Sequence, residues 1–141
     1  MKLRFLCTNR RTWLQENPHA AEGIWGQSCA LSQDMFDAGQ LDQAAHHAGC
    51  ALEAADILLS HKNKPTERDV QRFCESCAHL VRLLLEIKEE KLAQIVLQGG
   101  LHRLQIYIQR GTHPVSALAG FELLSLLALR SRSRAVAQTL H

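Results

Sequence analysis

The chain has 141 residues, a hydrophobic fraction of 46% and a formal net charge of +2 at pH 7. This length and apolar content fit one folded domain and argue against whole-chain disorder. The near-neutral charge gives no argument for nucleic-acid binding. Aromatic residues make up only 5% of the chain, so Leu and Ala carry the apolar content, which favours an all-α fold.

The cysteine content predicts a reducing compartment, and the apolar runs predict that the protein has no membrane segment. The five cysteines are an odd number without a regular disulfide spacing, which predicts a cytoplasmic protein. No uninterrupted apolar stretch approaches the roughly 20 residues of a membrane span. The first residues contain too short an apolar run for a signal peptide. We therefore expect no membrane association.

The beginning of the chain divides into a short segment and a helical domain. Residues 1–16 are predicted to be an N-terminal segment whose Trp13 covers the first pair of helices. A single helical domain is predicted over residues 17–141. Its first helix runs from Pro18 to Asp37, because proline is tolerated at the first position of a helix. Its second helix runs from Leu41 to about His61, after a tight turn at Gly39.

The following helices begin and end at similar signals. Thr66 and Asp69 resemble a capping box and start a third helix that ends near Ile87. After a turn at residues 88–90, for which continuous helix is the alternative, a fourth helix is predicted from Lys91 to Gln109. A fifth helix starts at Pro114 and is followed by a short last helix. The Arg-Ser run of residues 130–134 either ends the fifth helix or links it to the last one. The predicted hairpins span about 18–61, 66–110 and 114–140.

Two neighbouring glycines, Gly99 and Gly100, fall inside the predicted fourth helix. Each costs on the order of 1 kcal/mol relative to alanine in a helix interior. Two interpretations account for them. Either the helix breaks at this point, or another helix packs closely against its backbone.

The first two hairpins share a pattern of large and small residues. A shift of 49 residues places Leu31, Met35 and the Gly39 turn on Leu80, Leu84 and the Lys88 turn. This pattern resembles the tetratricopeptide repeat (TPR), a helical hairpin of about 34 residues. In the first unit the resemblance depends on Leu31, Met35, Gly39, Ala44, Ala48, Ala51 and Leu52. Ser28, Ser32 and Asp56 stand where that repeat has Trp, Gly and Pro, and the 49-residue spacing is longer.

The resemblance implies antiparallel hairpins stacked as a short right-handed superhelix with a groove for a protein or peptide partner. The expected role is that of an adaptor or chaperone-like module, not an enzyme. The groove positions implied are Gln33, Phe36, Asp37, Glu75, His79, Arg82 and Glu86. TPR domains that clamp a terminal carboxylate carry Lys, Arg and Asn at places where this chain has Cys29, Gln33 and His79, with Arg82 as the nearby cation. A carboxylate clamp is therefore not expected.

Cysteine and histidine spacing raises the alternative of a metal or redox sensor that uses Cys50, Cys74 or Cys77. On a helix, Cys74 and Cys77 share a face, whereas His79 lies about 200° round from Cys77. One ion would not reach all three side chains, so we expect buried core cysteines, no metal and no cofactor. The sequence also contains no recognisable catalytic motif, which predicts no catalytic residues.

The fifth helix raises two further alternatives. It is apolar nearly all round, and such a helix must be covered on more than one side. A second copy of the chain is a candidate cover, through Leu118, Phe121 and Leu124. The basic run of Arg130, Arg132 and Arg134 gives the alternative of a regulatory protein associated with nucleic acid. Cations near a helix C-terminus also interact favourably with the helix dipole, which gives these arginines a simpler role.

Overall fold

The computed structural model describes residues 5–6, 8–61 and 64–139, the last six of these as backbone only. This part of the chain forms six α-helices and no strand. They are α1 (Thr8–Glu16), α2 (Ala21–Asp37), α3 (Leu41–His61), α4 (Glu67–Glu86), α5 (Glu90–Arg110) and α6 (Pro114–Thr139), with a short 3₁₀ helix at Pro18–Ala20. The predicted all-α fold class is confirmed.

Local signals set the helix boundaries. The Thr66 side chain accepts a hydrogen bond from the Asp69 N–H, and the Asp69 carboxylate accepts one from the Thr66 N–H, so the predicted capping box is present. These bonds satisfy N–H groups that the first turn of α4 leaves without partners. At the C-terminal end of the next helix, α5, Gly111 adopts a left-handed conformation with φ 69°. Glycine accommodates this geometry without strain.

The turns after α2 and α4 are built alike. Gly39 and Lys88, 49 positions apart, both have positive φ values of 77° and 63°. Each donates its N–H to the carbonyl three residues earlier, and the next residue donates to the carbonyl five residues earlier. Positive φ is energetically less favourable for lysine than for glycine, yet Lys88 makes the same turn as Gly39. The two hairpins therefore reverse direction in the same way, at the spacing that the sequence pattern indicates.

Helices α3 and α4 form the centre of the core and carry most of its fully buried side chains. Each of the helices from α2 to α5 packs against the next helix in the chain. Helix α4 also packs against α6, and side-chain bonds join α2 to α4 and α3 to α5. This zigzag places α2, α4 and α6 in one layer and α3 and α5 in a second layer behind it.

The prediction of a third hairpin over 114–140 is wrong. Residues 114–139 form one continuous helix, α6, which passes through the Arg-Ser run without a break. The reason is that no glycine or proline follows Gly120, and arginine and serine are both tolerated within helices. Only two complete hairpins, α2–α3 and α4–α5, are present in the described residues.

Helix α5 continues through Gly99 and Gly100, which decides between the two interpretations of these glycines. A Cβ atom added at Gly100 would lie 2.9 Å from Cδ1 of Leu124 and 3.2 Å from Sγ of Cys77. Both distances are shorter than ordinary van der Waals contact. Gly100 therefore allows α4 and α6 to pack closely against the α5 backbone.

The N-terminal segment covers the α2–α3 hairpin through residues other than Trp13. Leu14 on α1 is fully buried and Leu6 is 8% exposed, whereas Trp13 is 50% exposed. On a helix, neighbouring residues point in different directions, so only one of the pair 13 and 14 can face the core. The prediction for Trp13 is corrected accordingly, and Leu14 provides the cover.

Candidate interaction surface

A polar seam joins α2 to α4. Nη2 of Arg72 lies 2.5 Å from Oε1 of Glu22, and the guanidinium lies 5.4 Å from the centre of the Trp25 ring. Nε1 of Trp25 donates a 2.8 Å hydrogen bond to Oγ of Ser76. Hydrogen bonds are directional, so these contacts set how far the two helices are shifted along one another.

His79 belongs to this seam, at its inner side. Oγ of Ser32 donates to the Ala44 carbonyl at 2.8 Å and lies 3.0 Å from Nε2 of His79. Because a hydroxyl has one proton, Nε2 of His79 must be the donor in the second bond. Burial of the ring, and then the positive charge of Arg82, lower the pKa of His79 below its ordinary value. The neutral Nε2–H form is therefore favoured in the folded protein.

The predicted groove residues lie on the layer of α2 and α4. Those that are exposed are Gln33, Phe36, Asp37, Glu75, Arg82 and Glu86. His79 differs, because it is half-buried and bonded to Ser32. On α2, Nε2 of Gln33 donates to Oδ1 of Asp37 at 2.8 Å, and the neighbouring Phe36 is 47% exposed. An exposed aromatic side chain beside polar groups is suited to contact with a partner.

A cavity of about 380 Å³ opens between α4 and α6. Its α4 side is polar and carries Glu67, Gln71 and Glu75, and its α6 side is apolar and carries Val115, Ala119 and Leu123. Oε1 of Glu67 already accepts a 2.6 Å hydrogen bond from Oγ of Ser116. Glu75 also raises the pKa of the Cys29 thiol on α2, second to burial of that thiol. Glu75 therefore borders the cavity on α4 and also acts electrostatically on Cys29 of α2.

Helix α6 exposes apolar side chains beside this cavity. The exposed fractions are 80% for Val115, 48% for Leu118, 65% for Leu126 and 56% for Leu129. The predicted dimer residues divide between inside and outside: Leu118 is exposed, Phe121 is half-buried and Leu124 is fully buried. The prediction that Leu124 lies on an interaction surface is corrected, because its side chain fills the space over Gly100.

Within the described part of the chain, α6 is the one helix with the length and hydropathy of a membrane span. Within the segment Pro114–Ser133, an 18-residue window has a mean hydropathy of 1.3, and 28% of that window is buried within the fold. Length and composition alone do not separate a membrane segment from a surface that another protein covers. The low burial does show that the described residues cover little of this helix.

The cysteines described are free thiols at partly or fully buried positions. Burial, and then the charge of Glu53, raise the pKa of Cys50 to about 11. Burial, and then the charge of Glu75, raise the pKa of Cys74 to about 11. Burial also raises the pKa of Cys77. Thiols with raised pKa values are poor nucleophiles and poor metal ligands at neutral pH. Among the residues described, no group of three or more His, Cys, Asp or Glu side chains is placed to hold a metal ion.

The basic run extends along the last turns of α6. Arg130 and Arg132 are exposed, and the side chain of Arg134 lies outside the described residues. Arg132 lines a cavity of about 220 Å³ between α5 and α6, together with Gln94 and Gln98. Among the described side chains of this run, two arginines are exposed, which is a small footprint for a nucleic acid.

Comparison of the chain with protein-family models, with curated proteins and with solved structures finds no match. The interpretation of the surface therefore depends on its own geometry. Sequence reasoning missed the α6 side of the cavity, formed by Val115, Ala119 and Leu123. Their spacing of four residues was visible in the sequence, but this helix is apolar nearly all round, so periodicity did not single out one of its faces.

Proposed function

We propose that this chain is a non-enzymatic binding module for a helix or peptide of a partner protein, which it takes up on the layer of α2, α4 and α6. The observation that carries the proposal is the uncovered apolar face of α6 beside the cavity between α4 and α6. Val115 at one end of this face is 80% exposed. Exposed apolar patches with a polar rim are typical of protein interaction sites. The resemblance to TPR hairpins is consistent with this role.

The chemistry of the cavity defines the partner. Its apolar side requires aliphatic side chains, and Glu75 on the opposite side requires a cation or a hydrogen-bond donor. An amphipathic helix that carries leucine-like residues and a lysine or arginine at spacings of three and four satisfies both. We expect this pattern in the partner segment.

The test is a display selection on the purified chain with a library of amphipathic helical peptides. Peptides with an apolar stripe and a flanking basic residue should be enriched. Binding of a selected peptide should weaken about tenfold with Glu75→Lys, through repulsion of its cation, and by a similar factor with Val115→Gln, through loss of apolar contact. Glu16→Lys, the same charge change on exposed α1, is the matched control and should leave binding unchanged.

Two outcomes would contradict the proposal. One is a set of selected peptides whose affinity is the same for Glu75→Lys, Val115→Gln and the wild type. The other concerns lipid. If vesicles of neutral phospholipid bind the wild type and the Glu75→Lys variant but not the Val115→Gln variant, the α6 face is assigned to a membrane. The second outcome is included because α6 has the composition of a membrane segment.

Self-association through α6 is the competing use of the same face. An apolar helix face can be covered by a second copy of the chain, through Leu118 together with Leu126 and Leu129. Sedimentation equilibrium distinguishes the two uses: a monomer at micromolar concentration leaves the face free for a partner, and a dimer that Leu126→Gln dissociates does not.

A cytoplasmic location stays a prediction from cysteine content.

A further inference from the structure

The residues just before α1 lie against α3 and are held there by one carboxylate. The N–H of Phe5 donates to Oε1 of Glu53 at 2.5 Å, and the N–H of Leu6 donates to Oε2 at 3.1 Å. Nη1 of Arg11 lies 3.2 Å from the same Oε2, and the Glu53 side chain is only 5% exposed. A buried carboxylate thus binds two consecutive backbone amides, which is how main-chain groups of a peptide ligand are recognised.

One helical turn before Glu53, the missing side chain of Gly49 provides space for the Phe5 ring. A Cβ atom at position 49 would overlap three atoms of that ring. His46, a further three residues back, faces the ring with an edge-on geometry at 6.3 Å between centres. Gly49 and Glu53 therefore form a two-part slot on α3: the glycine admits an aromatic ring, and the carboxylate binds its amide and the next one.

The chain's own segment fills only part of the space between α2 and α3. A cavity of about 340 Å³ remains beside Phe5 and Leu6, lined among others by Ile24, Ser28, Leu31, His47 and Cys50. Its walls combine aliphatic, hydroxyl and imidazole groups. A ligand with longer side chains than Phe5 and Leu6 would occupy this space and gain contacts that the N-terminal segment does not make.

The Glu53 carboxylate is the feature that distinguishes a binding slot from simple hydrophobic packing of the N-terminal segment. Burying an ionised group is costly, and a well-packed apolar residue usually provides as much stability or more. Leu6 and Leu14 already supply apolar cover over this hairpin. Glu53 adds what a leucine would not: it selects a bent backbone whose two adjacent N–H groups point to the same side.

We infer that Gly49 and Glu53 form a second binding site, for a bent segment of a partner protein in which an aromatic residue precedes an aliphatic one. Phe5 and Leu6 occupy this site in cis. The tether gives them an effective concentration of roughly millimolar, so a partner segment must bind more tightly than they do to displace them. The site lies between α2 and α3 and is separate from the cavity between α4 and α6.

The test uses the full chain and an acetylated, fluorescein-labelled peptide with the sequence of residues 2–8, carrying Cys7→Ser. Phe5→Ala in the chain empties the ring position, so the peptide should bind this variant about tenfold or more tightly than the wild type. Adding Gly49→Ala to Phe5→Ala should remove that gain, since the new methyl group fills the ring position. A peptide with Phe5→Ala should bind weakly to every variant.

Controls separate the slot from folding and from the surface on α6. Gly26→Ala is the matched glycine substitution, because a Cβ atom there meets nothing within 4 Å, and it should leave peptide binding unchanged. Val115→Gln and Glu75→Lys should also leave it unchanged, so this inference and the proposed function can fail independently. Far-UV circular dichroism checks that each variant keeps its helices.

Hydrogen exchange gives a readout that needs no variant. In the wild type, the amides of Phe5 and Leu6 should exchange slowly, and an excess of the peptide should accelerate their exchange by displacing them. Three results would overturn the inference: no binding to Phe5→Ala, equal binding with and without Gly49→Ala, or a wild-type dimer that Gly49→Ala dissociates. The last result would assign the slot to the N-terminal segment of a second copy.

Discussion

Helix α4 is joined to its two neighbours in the front layer by different chemistry. Towards α2 it presents Arg72, Ser76 and His79, and each makes a polar contact with that helix. Towards α6 it presents Cys74, which lies so close to Gly120 that a Cβ atom at position 120 would overlap its Sγ. The first interface is mainly hydrogen bonds and the Arg72–Glu22 ion pair. The second is mainly small residues in close contact, with the hydrogen bond from Ser116 to Glu67 at one end.

The difference determines what each interface tolerates. Hydrogen bonds fix the relative position of two helices but add only about 1 kcal/mol each to net stability. Close packing leaves no space, so an added methyl group must push atoms apart. We expect the interface between α4 and α6 to be sensitive to side-chain volume, and the interface between α2 and α4 to be sensitive to charge and pH.

The largest effect is expected for Gly120→Ala. The added Cβ would overlap Sγ of Cys74 and come within 3.3 Å of Cδ1 of Leu104, so the free energy of unfolding should fall by about 1–3 kcal/mol. Alanine is intrinsically the better helix former, which makes Gly26→Ala on α2 a matched control that should stabilise by up to about 1 kcal/mol. Urea denaturation measures both. Similar stabilisation by the two substitutions would show that α6 is not held closely against α4.

A smaller effect is expected where polar contacts join the two hairpins. Arg103 on α5 bonds Asp56 on α3 and lies 5.5 Å from the centre of the Phe73 ring. The two partners are 23% and 13% exposed. A double-mutant cycle with Arg103→Met and Asp56→Asn should give a coupling energy of about 1–2 kcal/mol.

The pair of Arg72 and Glu22 is the comparison for this cycle. Glu22 is 63% exposed, so water and salt weaken its interaction, and the coupling energy should stay below about 1 kcal/mol. Equal coupling energies for the two pairs would mean that burial does not set the strength of these contacts. Repeating both cycles at high salt should reduce the Glu22 coupling more than the Asp56 coupling.

Local signals made the helices and their turns predictable. The capping box at Thr66, the glycine at 39 and the proline at 114 each act through their own backbone or their nearest neighbours. The Lys88 turn was predicted from the charged residues 88–90 without a glycine, with continuous helix as the alternative, and the 49-residue pattern then matched it to the Gly39 turn. Where α6 continues through residues 130–134, the sequence contained no glycine or proline, and the expectation of a further hairpin came from the Arg-Ser run and the repeat pattern.

Long-range contacts explain what the sequence did not reveal. Phe5 fits over Gly49 because the chain folds back across more than 40 positions, and Ser32 meets His79 over a similar separation. Periodicity identifies an apolar face, but on a helix as apolar as α6 it does not tell Leu124, which is buried, from Leu118, which is exposed. Those assignments depend on which helices become neighbours.

The smallest expected effect tests the pH sensitivity of the polar interface through His79. Burial and the Arg82 charge lower the pKa of His79 from its ordinary 6.5 in the folded protein, so between these two values the unfolded chain binds more protons than the folded one. The free energy of unfolding should therefore be fully maintained above about pH 6.5 and fall as the pH decreases towards the folded pKa. Glutamine also offers an N–H to Ser32 but does not titrate, so His79→Gln should remove this part of the pH dependence. Urea denaturation from about pH 8 to about pH 5 measures the difference, and parallel curves for the two proteins would show that the seam accepts a charged imidazole without cost.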